Sequence, residues 1–238
     1  MKQLDDFIKD LKTIFEDRLK CVFIYGSKSS LEQEQLCDDI NLMIITQDLC
    51  GEDIKKCSLP AQKWMGKGLF KKKNPEPVFI GENEWFNSAD VYAMEYSDIK
   101  ENHRVLYGAD YTEQIDVKKE DLRIQCERET KNLLMKFRSH YLLYANSKKT
   151  IEYSFLPAIK SCMAIFKAIL RLKDIEVPKS PHEITDKINQ ICAIDKTLFE
   201  KLLCQKEKHC HMTKSEIYTT ADKIVSELTK LLEYVNNI

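Results

Sequence analysis

Apolar residues recur over the start of the chain at intervals of three and four: Leu4, Phe7, Ile8, Leu11, Ile14, Phe15 and Leu19. That spacing predicts an amphipathic helix over residues 4–19. The pattern changes at Cys21. Cys21 to Tyr25 form a short, partly β-branched apolar run closed by Gly26, which predicts a buried strand ending in a turn. Lys28 to Gln35 reads as helical. Ile40 to Ile45 is nearly continuous in apolar residues and predicts a second buried strand. Ile54 to Lys73 predicts a helix broken near Pro60 and loosened by Gly66 and Gly68. Short strands are expected at Pro77–Ile80 and Val91–Tyr96, and a turn or short helix at His103–Gly108.

Beyond about residue 115 no strand pattern is left. Leu122, Cys126, Leu133, Phe137, Tyr141 and Tyr144 step at mostly helical intervals, as do Phe155, Ile159, Met163, Phe166 and Leu170. Pro157 is expected in the first turn of the second of these helices, where a missing N–H costs nothing. Shorter helices are expected around 182–192 and 196–206. The last starts near 215, with Ile217, Ala221, Ile224, Leu228, Leu231 and Val235 as its stripe. Strands mixed with helices, then helices alone, predict an α/β domain over residues 1–115 and a helical bundle over 116–238.

Composition narrows this without redirecting it. The 238 residues are 32% charged and 43% hydrophobic, within the range of a globular protein with a real core. No apolar run is long enough to span a bilayer, and the N-terminus lacks the apolar stretch of a signal peptide, so the expected location is the cytoplasm. The nine cysteines contain no Cys-x-x-Cys pair and read as reduced, mostly core, thiols. Cys204 with His209-Cys210-His211 could hold zinc, but a partly exposed polar stretch is the favoured reading. Residues 1–115 carry 15 Lys and Arg against 21 Asp and Glu, and residues 116–238 carry 22 against 17. The mild asymmetry could draw a phosphorylated ligand, although ordinary solvated helix faces explain it equally well. No long basic tract suggests duplex DNA as a partner.

The stretch richest in chemistry is Val22-Phe23-Ile24-Tyr25-Gly26-Ser27, followed after eleven residues by Asp39-Ile40-Asn41-Leu42-Met43-Ile44-Ile45. A strand that ends in Gly-Ser and opens a helix presents backbone N–H groups and a helix N-terminus to phosphate oxygens. Glycine there permits the sharp turn and close approach. Positions 39 and 41 share one strand face. Acidic groups at both would hold Mg²⁺ against a nucleoside triphosphate for in-line attack at phosphorus.

This order resembles the signature of the DNA-polymerase-β-like nucleotidyltransferase superfamily, which includes the aminoglycoside nucleotidyltransferases. The segments Val91–Lys100, His103–Gly108 and Leu122–Glu129 are similar to the third core strand, the following turn and the opening of the helical domain in a bacterial branch of that superfamily. The likeness is strongest over residues 21–45 and 91–135. It implies an α/β (α+β) domain with a small mixed sheet ahead of an all-α bundle. It also implies transfer of a nucleoside monophosphate from an NTP, with Mg²⁺, to a hydroxyl on a small-molecule or macromolecular acceptor. Gly26 and Ser27 would hold the triphosphate. Asp39, Asn41 and Glu95 would be the metal ligands, with Asp39 and Glu95 catalytic and Glu95 helping to deprotonate the acceptor. A surface acid on an edge strand is the alternative for Glu95.

Asn41 departs from the pattern, offering a neutral carbonyl oxygen where a carboxylate is expected, and Cys37-Asp38 is a second departure. The competing expectation is therefore a catalytically inactive protein that binds nucleotide or a protein partner, antitoxin-like or regulatory. A helical interaction protein with a scaffolding α/β half is a third. His103-Arg104 could reach a phosphate, Lys71-Lys72-Lys73 could touch nucleotide, and Trp64 and Trp85 could stack on a base. Glu127, Arg128, Glu129 and Arg138 could line a cleft or form helix ion pairs. Tyr141 and Tyr144 are expected in the core.

Overall fold

The structure, a computed structural model, describes residues 2–26, 40–66, 74–206 and 212–238. The chain divides into two compact units, Met1–Val117 and Lys118–Ile238.

Among its described residues the first unit is built on four strands: β1 (Leu19–Tyr25), β2 (Asn41–Thr46), β3 (Val78–Gly81) and β4 (His103–Gly108), in the order β3-β2-β1-β4. β1 runs antiparallel to both β2 and β4, whereas β2 and β3 are parallel, so the sheet is small and mixed. The parallel pair needs a crossover, which α2 (Gly51–Trp64) provides. Helices cover both faces. Val22, Ile24, Leu42 and Ile44 pack towards α1 (Lys2–Phe15) and α2. Cys21, Phe23, Met43 and Ile45 pack towards α3 (Glu82–Phe86), α4 (Ala93–Glu101) and Ile115. A strand buried on both sides has no reason to alternate apolar with polar, hence the continuous apolar runs of β1 and β2.

One ionic knot joins the two corners of this unit. Arg18 follows α1 in a short 3-10 turn (Glu16–Arg18) and donates to both oxygens of Asp53, at 3.0 and 2.8 Å, and to Asp48 at 2.7 Å. Asp53 in turn accepts from the Cys50 backbone N–H at 3.2 Å, closing the first turn of α2. Its side chain is 3% exposed. The Arg18 hydrogen bonds hold the Asp53 carboxyl well below the usual carboxylate range.

Four features differ from the sequence expectation. Val91 and Tyr92 form a turn, and residues 93–96 open α4 instead of continuing a strand. Ala93, Tyr96 and Ile99, three residues apart, form its buried face. The strand lies instead at His103–Gly108, expected as a turn or short helix. Pro60 does not break α2, and Pro157 lies well inside α6 rather than in its first turn. Each proline leaves the carbonyl four residues earlier without its helical donor. Those carbonyls belong to the exposed Lys56 and Tyr153, where water can serve them.

The second unit is helical throughout its described residues: α5 (Lys119–Tyr144), α6 (Lys148–Leu172), α7 (Pro181–Cys192), α8 (Lys196–Lys206) and α9 (Lys214–Asn236). Its core pairs Phe137 with Phe155, and Phe166 with Phe199. The long α9 is started by Thr213 and Glu216. The Thr213 N–H donates to Glu216 at 2.8 Å, and the Glu216 N–H donates back to the Thr213 hydroxyl at 3.3 Å. Tyr144 is 43% exposed, not in the core, and Tyr141 donates its hydroxyl to Asp222 at 2.9 Å. No helix among the described residues is long and apolar enough to cross a membrane. Cys21, Cys50, Cys57, Cys126, Cys162 and Cys192 are free thiols, whereas Cys204 is disulfide-bonded, against the expectation that all nine are reduced. His209-Cys210-His211 and Lys71-Lys72-Lys73 lie outside the described residues.

Candidate functional site

β1 delivers the chain to the edge where its chemistry is expected. At Gly26 the backbone turns left-handed, φ +82°, a conformation that costs a residue with a Cβ about 1–2 kcal/mol. The Gly26 N–H donates to the Asn102 carbonyl at 2.9 Å. That hydrogen is therefore spent inside the protein, and what Gly26 contributes is the shape of the turn. Ser27 and Asp39 lie outside the described residues.

Across the sheet, Tyr25 pairs with Asn41 on one side and with His103 on the other. The Asn41 side chain borders the turn, with its Nδ2 3.4 Å from where a Cβ on residue 26 would stand. Asn41 lies on the face of Met43 and Ile45, the face that α3 and α4 cover further along the sheet.

β3 adds a residue that the sequence reading missed. Met43 pairs with Val78 in parallel register, so continuing two residues back brings Glu76 level with Asn41. Glu76 stands between Pro75 and Pro77, and a residue before proline is held extended, so the chain direction of β3 carries back to it. Glu76 is exposed. The paired row at this end of the sheet reads Asn41, Tyr25, His103, while Glu76 precedes β3 and lines a groove with Ile54, Cys57, Ala61 and Met65.

Glu95 takes a different place. It lies in the first turn of α4, exposed, and on no strand. The far end of that helix, at Asn102, is the end that meets Gly26. Seven residues of helix set the two ends about 10 Å apart.

The remaining candidates are accounted for. Trp64 stacks on Phe7 at 5.7 Å, and Trp85 on Tyr96 at 4.4 Å, both indoles being buried, so neither is a platform for a base. His103 is held at both ring nitrogens by Ile99, Asp110 and Thr112. On α5, Glu127 pairs with Arg123 at 3.0 Å and with Lys131, Arg128 pairs with Glu129 at 3.3 Å, and Arg138 donates to Thr229 at 3.1 Å. These are helix-surface contacts. Among the described residues no three His, Cys, Asp or Glu side chains form a metal cluster.

A mixed sheet of this order, with a glycine turn after β1 beside the first residue of β2 and a helical unit downstream, is the nucleotidyltransferase fold. No family model matches the chain, and no curated protein matches it. Among solved structures, the chain is similar to the spectinomycin adenyltransferase AAD(9) from Enterococcus faecialis with ATP and spectinomycin. The likeness covers 96% of this chain and 98% of that one, with a TM-score of 0.57 and 12% identity.

Proposed function

We propose that this protein transfers a nucleoside monophosphate from an NTP to a hydroxyl of a small-molecule acceptor. The observation that carries the reading is the juxtaposition of the Gly26 turn and Asn41 at one end of a sheet of this fold. In the reaction an acceptor hydroxyl oxygen attacks the α-phosphorus. The new O–P bond forms as the bond between the α-phosphorus and the bridging oxygen breaks, and pyrophosphate leaves. The acceptor proton passes to a carboxylate.

Glu76 is the carboxylate we assign to that proton, in preference to Glu95. Carried two residues back, the parallel β2–β3 register sets Glu76 level with Asn41 just ahead of β3. Gly26 shapes the phosphate-binding turn, and Ser27 offers the next backbone N–H and a hydroxyl. Asp39, Asn41 and Glu76 supply the oxygen donors that a Mg²⁺ ion prefers, and they would hold it. Bound there, the ion offsets triphosphate charge. ATP is the first NTP to test, because the similar adenyltransferase structure holds ATP. Its spectinomycin points to a polyhydroxylated acceptor as the first class to screen.

The test is incorporation of label from α-labelled ATP into an acceptor panel with Mg²⁺. Wild type should label an acceptor, Asp39→Ala should not, and Glu76→Gln should lose most activity while Glu95→Gln keeps it. Asp39→Ala with unchanged labelling would sink the catalytic reading. Loss on Glu95→Gln alone would return the proton to Glu95.

One observation favours a second reading, a nucleotide binder without turnover. Asn41 is neutral at the position bordering the turn, so one negative charge is lost from the ion's surroundings. Nucleotide-induced thermal stabilisation that is independent of Mg²⁺, with no labelling of any acceptor, would establish that reading.

A further inference from the structure

The β4 end of the same row carries a network that the transfer chemistry does not use. His103 Nδ1 lies 2.9 Å from the Ile99 carbonyl, which can only accept, so Nδ1 bears a hydrogen. His103 Nε2 lies 2.9 Å from Asp110 Oδ2 and 3.0 Å from the Thr112 hydroxyl. Thr112 has already directed its donors elsewhere: its backbone N–H and its hydroxyl both point at Asp110 Oδ1, at 2.8 and 2.7 Å. Burial alone would raise the Asp110 carboxyl, but hydrogen bonds from Thr112 and His103 outweigh it and hold the group below its ordinary value. Nε2 thus lies between the Asp110 carboxylate and the Thr112 hydroxyl oxygen. These contacts fix the ring at the C-terminal end of α4.

The network touches the Gly26 turn through the backbone. His103 is the sheet partner of Tyr25, the residue before Gly26. Asn102, the residue before His103, supplies the carbonyl that accepts the Gly26 N–H at 2.9 Å. The ring is also wedged edge-on against Phe23 in β1, with centroids 6.1 Å apart. A ring held by three hydrogen bonds and an aromatic edge leaves the Asn102–His103 corner one position to occupy, and the Gly26 turn is hydrogen-bonded to that corner.

We propose that His103 and Asp110 are positioning residues for the nucleotide. Their hydrogen bond fixes the Asn102 carbonyl, which fixes the Gly26 N–H and with it the turn at the end of β1. The proposal rests on the nucleotidyl-transfer reading for its consequence, but its structural half stands apart from that reading.

The test uses the full chain with His103→Gln, Asp110→Asn and the double variant, plus Thr112→Val as a milder change should a charge variant fail to fold. Amide hydrogen exchange at Gly26 should accelerate at least about tenfold in either single variant, while Val22, Phe23 and Ile24 stay protected. With ATP and Mg²⁺, KM should rise about tenfold with kcat within about twofold, the pattern of lost ground-state positioning. The double variant should be no worse than either single one, since the two residues act as a pair. Unchanged Gly26 exchange in the folded variants overturns the proposal, as does faster exchange with an unaltered KM. Should wild type neither bind nor turn over ATP, the transfer reading falls, and the exchange measurement still decides whether the pair holds the turn.

Discussion

Two glycines stand at opposite ends of β1 with the same left-handed backbone, φ +82° at each, yet they are glycines for different reasons. Gly108 ends β4 opposite Cys21, and a Cβ there would sit 1.9 Å from the Lys20 carbonyl oxygen. No side-chain adjustment relieves a clash with backbone, so packing demands this glycine. At Gly26 the nearest atom to such a Cβ is the Asn41 Nδ2 at 3.4 Å, an ordinary contact. Packing would tolerate a methyl there. A positive φ alone therefore marks no site. Among the described residues, a polar side chain in ordinary contact in place of a backbone clash is what sets the Gly26 end apart.

The largest expected effect belongs to the packed end. Gly108→Ala combines backbone strain with a backbone clash and should cost about 3 kcal/mol or more, read as a lowered denaturant midpoint. Stability within about 0.5 kcal/mol of wild type would show that the strand end shifts freely. Gly26→Ala should cost only about 1–2 kcal/mol of strain and yet remove nucleotide-dependent stabilisation. Equal behaviour of the two variants in both assays would erase the distinction.

The next effect concerns the two candidate acids, Glu76 and Glu95. Glu76→Gln should lower turnover about 100-fold, the usual scale for losing a general base. Glu95→Gln should leave turnover within about twofold, on the same physical ground that a base must reach its proton.

The Asp53 knot is the closed counterpart of these open acids. Asp53→Asn keeps the shape but loses the charge facing Arg18 and should cost about 1–3 kcal/mol. Because the folded-state pKa of Asp53 lies below its unfolded value, its contribution is full above about pH 4 and is lost as pH falls through the folded value. Acid titration of stability should therefore be shallower in Asp53→Asn than in wild type below about pH 4, and parallel curves would contradict the assignment.

Much of this arrangement can be read in the sequence, and the misses have physical causes. β1 and β2 are visible because both faces are covered, so their apolar runs are unbroken. The small mixed sheet and the helical second half follow from pattern and resemblance. Val91–Tyr96 misleads because six residues are too few to separate a strand from the start of a helix. The deciding spacing, Ala93 to Tyr96 to Ile99, extends beyond that window. β4 is hidden because it is an edge strand that opens with His103 and Arg104 and slips register opposite Val22 and Phe23, which spoils its alternation. Glu76 was within reach. A helix between two strands implies a parallel crossover, and parallel neighbours start at the same end. An acid at the start of β3 is then set beside the start of β2, where Asn41 stands.

The smallest expected change is the most discriminating at that position. Asn41→Asp adds a carboxylate to the border of the turn, and its effect should change sign with metal. Without Mg²⁺ the new charge repels triphosphate, so stabilisation by ATP should weaken. With Mg²⁺ it becomes a better ligand for the ion that bridges to the phosphates, and affinity for ATP should rise about tenfold, or 1.4 kcal/mol. A crossover between the two conditions would mean that the wild-type site keeps the geometry of a metal site and lacks only a charge. Weakening in both conditions would mean that the Gly26 end of β1 meets phosphate through its backbone alone, and that neutrality at residue 41 is part of how it does so.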